Sequence, residues 1–348
     1  MEYPLKGRGA QINPVNRFNS QSLSYHVEGI DEPLFLRNLT RYYIENSVHI
    51  ISRNTSPDIP FEFSINPYQG CEHGCAYCYA RNSHEYWGFS SGLDFETHII
   101  IKPKAPELLS KVFLSKSWKP ASITLSGNTD CYQPIENKLK ITRRLLEVFN
   151  DFKNPVSIIT KNVLLLRDLD ILTELATDKL VHIFISITTL DENLRQMLEP
   201  RTASTQKKFE VISKLSEQGI PVGVMVGPVI PGLNNQEIPQ ILKLAEEKGA
   251  SSAGMNILRM NGSVAEVFKD WLHRNLPDRY TKILNQVSEV HGGQVSDSKW
   301  GRRIRGEGNI ADAIKFTFNK AKEKYYSDKS WPQLNHSLFR KSGNLNLF

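Results

Sequence analysis

Residues 61–80 read FEFSINPYQGCEHGCAYCYA. Phe61–Asn66 has the length and the apolar alternation of a strand, and it runs directly into a loop that holds Cys71, Cys75 and Cys78. The same strand-length signal recurs downstream. Short β-branched runs at Ser122–Ser126, Val156–Thr160, Val181–Ile187, Val222–Val226 and Gly254–Leu258 alternate with amphipathic stretches at Lys138–Phe149, Leu165–Ala176, Lys207–Gln218 and Gln236–Lys248. Gly219-Ile220-Pro221 and Gly249-Ala250 stop two of these helices just before a strand. Strand and helix repeated in this way make right-handed crossovers and a parallel sheet. The sequence therefore predicts an α/β domain of six βα units over residues 61–262, as a parallel barrel or a doubly wound sheet.

Both architectures carry their chemistry on the loops that follow the strands. Here those loops hold the cysteines, then GNTDCYQP, TKN, TTLDE and GPVIPGLNN, so small polar residues and glycines collect on one rim. Thr97–Ile101 is a further strand-like run with no place in the repeat. Residues 1–60 are polar, lack a sustained period and read as a leader packing on the core. Residues 263–348 read as a helical extension, with helices at Asp278–Val290 and Ile310–Tyr325 and the basic cluster WGRRIRG at 300–306.

Composition narrows the function classes. The 348 residues are 40% hydrophobic and 23% charged, which excludes a disordered chain. Lys and Arg exceed Asp and Glu by 43 to 37, and a net charge of +6 permits an anionic partner without requiring one. The longest apolar runs, such as Ile220–Ile230, fall far below the roughly 20 residues of a membrane span. MEYPLKGRGAQINP has no apolar signal region, so a cytoplasmic location with reduced thiols is expected. Four cysteines in such a compartment do not form a disulfide framework, and three of them within positions 71–78 invite a metal. Structural zinc takes four protein ligands, typically in pairs, and no second pair exists here. His73 or His84 would have to complete a zinc site in a non-catalytic interaction module. An iron-sulfur cube held by only three thiolates keeps one iron open to a non-protein ligand.

The spacing Cys71-x3-Cys75-x2-Cys78 after a strand, with Tyr77 before the last cysteine, resembles the radical S-adenosylmethionine (radical SAM) superfamily. NPYQGCEHGCAYCYAR, SGNTDCYQPIE, IITKN, LEPRTAS and GPVIPGLNN resemble the spore photoproduct lyase-like group, and KGRGAQINPVNRF resembles a subgroup of its small members. The resemblance implies a partial (βα)6 TIM-type barrel as the radical SAM core, with N- and C-terminal extensions. It implies a 4Fe-4S cluster on Cys71, Cys75 and Cys78, whose open iron chelates SAM, and reductive cleavage of SAM to a 5′-deoxyadenosyl radical. A nucleic-acid lesion is the implied substrate of lyase-like chemistry, with a peptide or small metabolite as the alternative. A flavodoxin or ferredoxin as electron donor and a monomeric state are expected.

The resemblance also implies contacts to SAM. Ser126, Gly127, Asn128 and Asp130 stand where the superfamily has a Gly-Gly-Glu form that binds the SAM amino group. Tyr77 would pack near adenine, Lys161 and Ser186 would meet carboxylate and ribose, and Glu199 and Arg201 are further contacts. Gly227 and Pro228 end the fifth strand, where adenine lies. Each polar position equally suits a helix cap or turn. Tyr79 follows the third cysteine, as a hydrogen-relay tyrosine does in that group, and packing is the preferred reading of it. Cys131 is expected to stay off the cluster and to face the cavity, and a buried packing thiol is the preferred reading over a hydrogen donor. Arg302, Arg303 and Arg305 with Trp300 form either a phosphate-contacting patch or a solvated basic face. His182 reads as a core histidine.

Overall fold

The alternating runs become strands in the computed structural model, which describes residues 5–18 and 40–341. In chain order the strands are β1 Arg41–Ile44, β2 Ile51–Arg53, β3 Phe63–Ile65, β4 Tyr68–Gln69, β5 His98–Ile101, β6 Ile123–Leu125, β7 Val156–Thr160, β8 Val181–Ile187, β9 Val222–Val229 and β10 Ser252–Ile257. The main sheet has the order β10-β9-β8-β7-β6-β3-β2. Neighbours from β10 to β3 are parallel, and β2 is an antiparallel edge strand. β10 does not pair with β3, so the six βα units form an open, partial barrel.

The alternation along these strands explains the two faces. Val156, Ile158, Val181, Ile183, Ile185, Val222 and Val224 are sealed in the main core with Leu145, Phe149, Leu172, Leu175, Ile212, Leu215 and Ile241 from the covering helices. Burial of each such side chain contributes roughly 1.5–3 kcal/mol. The intervening residues line the lumen: Ser157, Ile159, His182, Phe184, Ser186, Gly223, Met225 and Gly254. Gly223 is required there, because a Cβ would lie 2.6 Å from the Phe184 ring.

One end of the lumen is stoppered by the chain's own tail. Trp331 lies 4.3 Å from the His182 ring and 5.3 Å from Phe184, and His182 Nε2 is 2.8 Å from the Pro332 carbonyl. The Asn335 and Arg340 amides donate to the carbonyls of Lys179, in the loop before β8, and of Phe152, at the end of the helix before β7. The opposite rim, at the C-terminal strand ends, carries the cysteines.

Several boundaries differ from expectation. The helix predicted at Lys138–Phe149 runs Ile141–Phe152, because Lys140 adopts a left-handed φ of 53° that separates it from a short turn at Glu136–Leu139. Leu165–Ala176 begins as a tight turn, Val163–Asp168, capped by the Asn162 side chain, and continues as the helix Leu169–Thr177. Two helices without a clear sequence signal appear at Ala105–Leu114 and Val264–Asn275. Thr97–Ile101 finds its place as β5, which pairs with β1 and β4 in a small second sheet. The leader thus supplies β1 to the second sheet and β2 to the main one. In the extension, Val264–Asn275 and Tyr280–Val290 bury Phe268, Trp271, Leu272, Ile283 and Val287 in one cluster with Cys75 and Tyr77. No helix among the described residues is long and apolar enough to cross a membrane.

Candidate active site

Beyond β3 the chain turns at Gly70, whose φ of 76° and 2.8 Å approach to the His98 carbonyl exclude a side chain. Cys71 and Cys75 are buried and Cys78 is partly exposed. The loop is pinned by the backbone: the Cys71 amide donates to Phe95 O at 2.8 Å and the Ala76 amide to Leu198 O at 3.0 Å. Burial pushes all three thiols above their usual range, assisted at Cys71 by Asp130 and at Cys75 by Glu199. Each thiol lies within electrostatic reach of another.

Among the described residues no three His, Cys, Asp or Glu side chains converge as donors on one ion. The two histidines proposed to complete a zinc site do not join the cysteines as donors. His73 faces Asp130 at 3.4 Å and Asn162 at 3.0 Å. His84 is wedged between Phe89 and Phe95, at 5.2 and 5.6 Å. Three thiols with no fourth protein donor fit a cluster that spreads its ligands over several irons.

A strap from the N-terminal segment covers this loop. Glu96, fully buried, accepts from the Gly9 and Ala10 amides at 3.1 and 2.8 Å and from Arg81 at 2.5 Å. Arg81, also fully buried, donates to the Cys75 carbonyl at 3.0 and 2.8 Å. Gly9 passes so close that a Cβ would stand 1.8 Å from the Gly74 carbonyl oxygen. Neither Arg81 nor Glu96 was singled out from the sequence, since their partners lie far apart in the chain and leave no local pattern.

Two carboxylates organise the rim. Asp130 accepts from the Thr160 hydroxyl at 2.8 Å, the Tyr132 amide at 2.8 Å and the Lys161 amide at 2.9 Å, joining the loops after β6 and β7. Glu199 is completely buried. It accepts from Tyr77 Oη, from Thr188 Oγ1 at 2.5 Å and from Lys208 Nζ at 2.9 Å, with Lys161 Nζ at 3.6 Å. Burial alone would raise its pKa, but the Lys208 and Lys161 ammonium groups outweigh this and hold it well below the usual carboxylate range. Lys208 and Thr188 are members of the network that sequence reading missed.

The structure brings most of the expected positions to this rim. Ser126 holds a φ of 68° and its Oγ accepts from the Cys131 amide at 2.7 Å. Gly127 lies against Ser64, where a Cβ would be 2.8 Å from the Ser64 Cβ. Asn128 donates to Ser83 Oγ at 2.9 Å, tying the loop after β6 to the segment after Cys78. The Gly227 carbonyl, ahead of Pro228, accepts from Thr188 Oγ1 at 2.9 Å and Lys161 Nζ at 3.3 Å. Ser186 is buried on the lumen face of β8. Arg201 is partly exposed, 3.6 Å from Glu72.

Other positions depart from expectation. Cys131 does not face the cavity: it is fully buried in the main core, and its carbonyl accepts from Thr142 Oγ1 at 2.7 Å. Its thiol is pushed far up by burial and then by Asp130. Tyr79 is not packed inside; its ring is exposed and its hydroxyl donates to Gly127 O at 2.6 Å, bridging the cysteine loop to the loop after β6. The arginine cluster is not a free basic patch. Arg303 is buried against Asp58 at 2.7 Å, and Arg302 pairs with Asp297 at 2.6 Å. Arg305 and Trp300 are exposed.

The family model described as the radical SAM superfamily matches residues 65–245, more than half of the chain. The chain belongs to the radical SAM superfamily. An uncharacterized protein of Mycobacterium tuberculosis is 32% identical over 233 residues, covering 66% of this chain and 68% of the relative. A radical SAM Nalpha-GlyT isomerase of Pseudomonas phage M6 is 25% identical over 223 residues, 64% of this chain and 44% of that protein. Among solved structures, a spore photoproduct lyase variant with bound AdoMet and dinucleoside spore photoproduct superposes with a TM-score of 0.59 at 16% identity, over 82% of this chain and 79% of the other. That likeness shows a shared fold.

Proposed function

We propose that this radical SAM protein carries a 4Fe-4S cluster on Cys71, Cys75 and Cys78 and acts as a lyase-like enzyme on a nucleic-acid lesion. The observation that carries the first part is the trio of desolvated thiols, with no fourth protein donor, on the open rim of a lumen closed at its other end. With the cluster bound on Cys71, Cys75 and Cys78 and reduced, it would supply the one electron for reductive cleavage of SAM. The protein's own residues orient and shield that chemistry. Asp130 holds the loops after β6 and β7 together, Lys161 offers its ammonium group and Ser186 its hydroxyl from neighbouring strands, and Gly227 lets the Asn256 amide pack directly on the backbone of β9. Glu199 keeps Tyr77 and Lys161 in place behind them.

The lesion reading is supported by the fold shared with a lyase that holds a dinucleoside photoproduct and by the +6 net charge. A flavodoxin or ferredoxin as electron donor, a monomer and a cytoplasmic setting that keeps thiols reduced complete the reading. The test is anaerobic reconstitution followed by turnover on a dinucleoside spore photoproduct. About four irons and four sulfides per chain and release of the repaired dinucleoside are expected. SAM cleavage without repair would move the substrate to a peptide or small metabolite. A protein that takes up zinc in place of iron and sulfide would make it a binding module.

A further inference from the structure

β10 ends at Ile257, and Arg259 stands two residues beyond it, on the rim that carries the cysteines. Its Nε is buried without a hydrogen-bond partner. The acids that act on it, Asp58 and Asp297, are already bound by Arg303 at 2.7 Å and Arg302 at 2.6 Å. The buried arginines are paired: Arg81 has Glu96 at 2.5 Å and Arg195 has Glu192 at 2.8 Å. Arg259 is itself partly exposed, and a guanidinium at a rim whose Nε lacks a partner favours a ligand that supplies an anion.

The surroundings specify more than charge. Tyr79, next to Cys78, lies within electrostatic reach of Arg259. Three amide oxygens nearby in the chain fold are also buried without a donor, those of Asn256, Asn261 and Asn82. Asn256 reaches over Gly227, where a Cβ would be 1.9 Å from its Oδ1, and Asn82 donates to the Asn261 carbonyl at 2.6 Å. The end of the last strand thus presents an unmatched cation beside unmatched acceptors. A nucleotide answers both, with a phosphate for the guanidinium and base N–H groups for the amides.

We propose that Arg259 binds a phosphate of a nucleotide substrate at the mouth of the barrel, with the Asn256, Asn261 and Asn82 amides accepting from its base. This rests on the nucleic-acid reading of the substrate. The probes are a fluorescent thymidine pentanucleotide and its uncharged methylphosphonate analogue, titrated into reconstituted protein at low salt. Arg259→Ala should weaken the charged probe at least tenfold and the neutral one less than twofold, and Arg259→Lys should recover much of the loss. Equal loss on both probes, or no loss on the charged one, overturns the assignment. A wild-type protein that binds neither probe overturns it as well. A wild-type protein that binds the charged probe through Arg259 but forms no 5′-deoxyadenosine would contradict the radical reading alone.

Discussion

Glu199 shows what a single residue in a motif can conceal. LEPR marks it as a ligand contact, yet both of its oxygens are occupied by Tyr77, Thr188, Lys208 and Thr202. Glu199→Gln removes the charge and strands Lys208, 1% exposed, without its anion, so a loss of about 3 kcal/mol is expected in denaturant unfolding of the metal-free protein. A loss below half a kilocalorie would contradict this. His84 gives a pH signature. Burial first, then His98, lowers its pKa to about 3. The unfolded chain binds that proton near pH 6.5 and the folded chain does not, so stability falls as pH drops below 6.5, by roughly 1.5 kcal/mol down to pH 5. His84→Phe, seated between Phe89 and Phe95, should flatten that part of the curve for the metal-free protein; an unchanged slope would remove His84 as its source. The cysteines and Asp130 were legible because their chemistry sits in a local pattern. The closures around them were not, because Arg81 meets Glu96 and Tyr77 meets Glu199 only after folding.

At the scale of elements, the strap of residues 5–18 works through backbone amides and glycine, which leaves no hydrophobic period to read. Its link to the cluster loop runs from the Gly9 and Ala10 amides through Glu96 and Arg81 to the Cys75 carbonyl. Gly9→Ala places a methyl 1.8 Å from the Gly74 oxygen, so either the strap or the loop must move. Reconstituted Gly9→Ala protein should lose iron to a chelator several-fold faster than wild type while its circular dichroism is unchanged. Equal rates would mean that the strap does not support the cluster. The helices were shifted in the reading for a comparable reason. Lys140 in a left-handed conformation and the Asn162 cap set boundaries that apolar spacing alone does not reveal.

The molecule as a whole is a half-open lumen with different closures at its two ends. Six strands in chain order were readable, because alternating β-branched runs and amphipathic helices permit few topologies. The stopper was not, since WPQLN at 331–335 has neither period nor motif. Trp331→Ala should cost about 2 kcal/mol of stability, read as an earlier denaturant midpoint, because His182 and Phe184 lose their cover. An unchanged midpoint would show that the tail only rests on the barrel. In the proposed function the chemistry at the open end depends instead on three thiolates and an iron left for SAM. The decisive measurement is 5′-deoxyadenosine formed by anaerobically reconstituted protein with dithionite and SAM, wild type beside Cys75→Ala. Wild type should release 5′-deoxyadenosine and methionine and Cys75→Ala neither; wild type with a full, reducible cluster that releases none, or Cys75→Ala that cleaves SAM as wild type does, would contradict it.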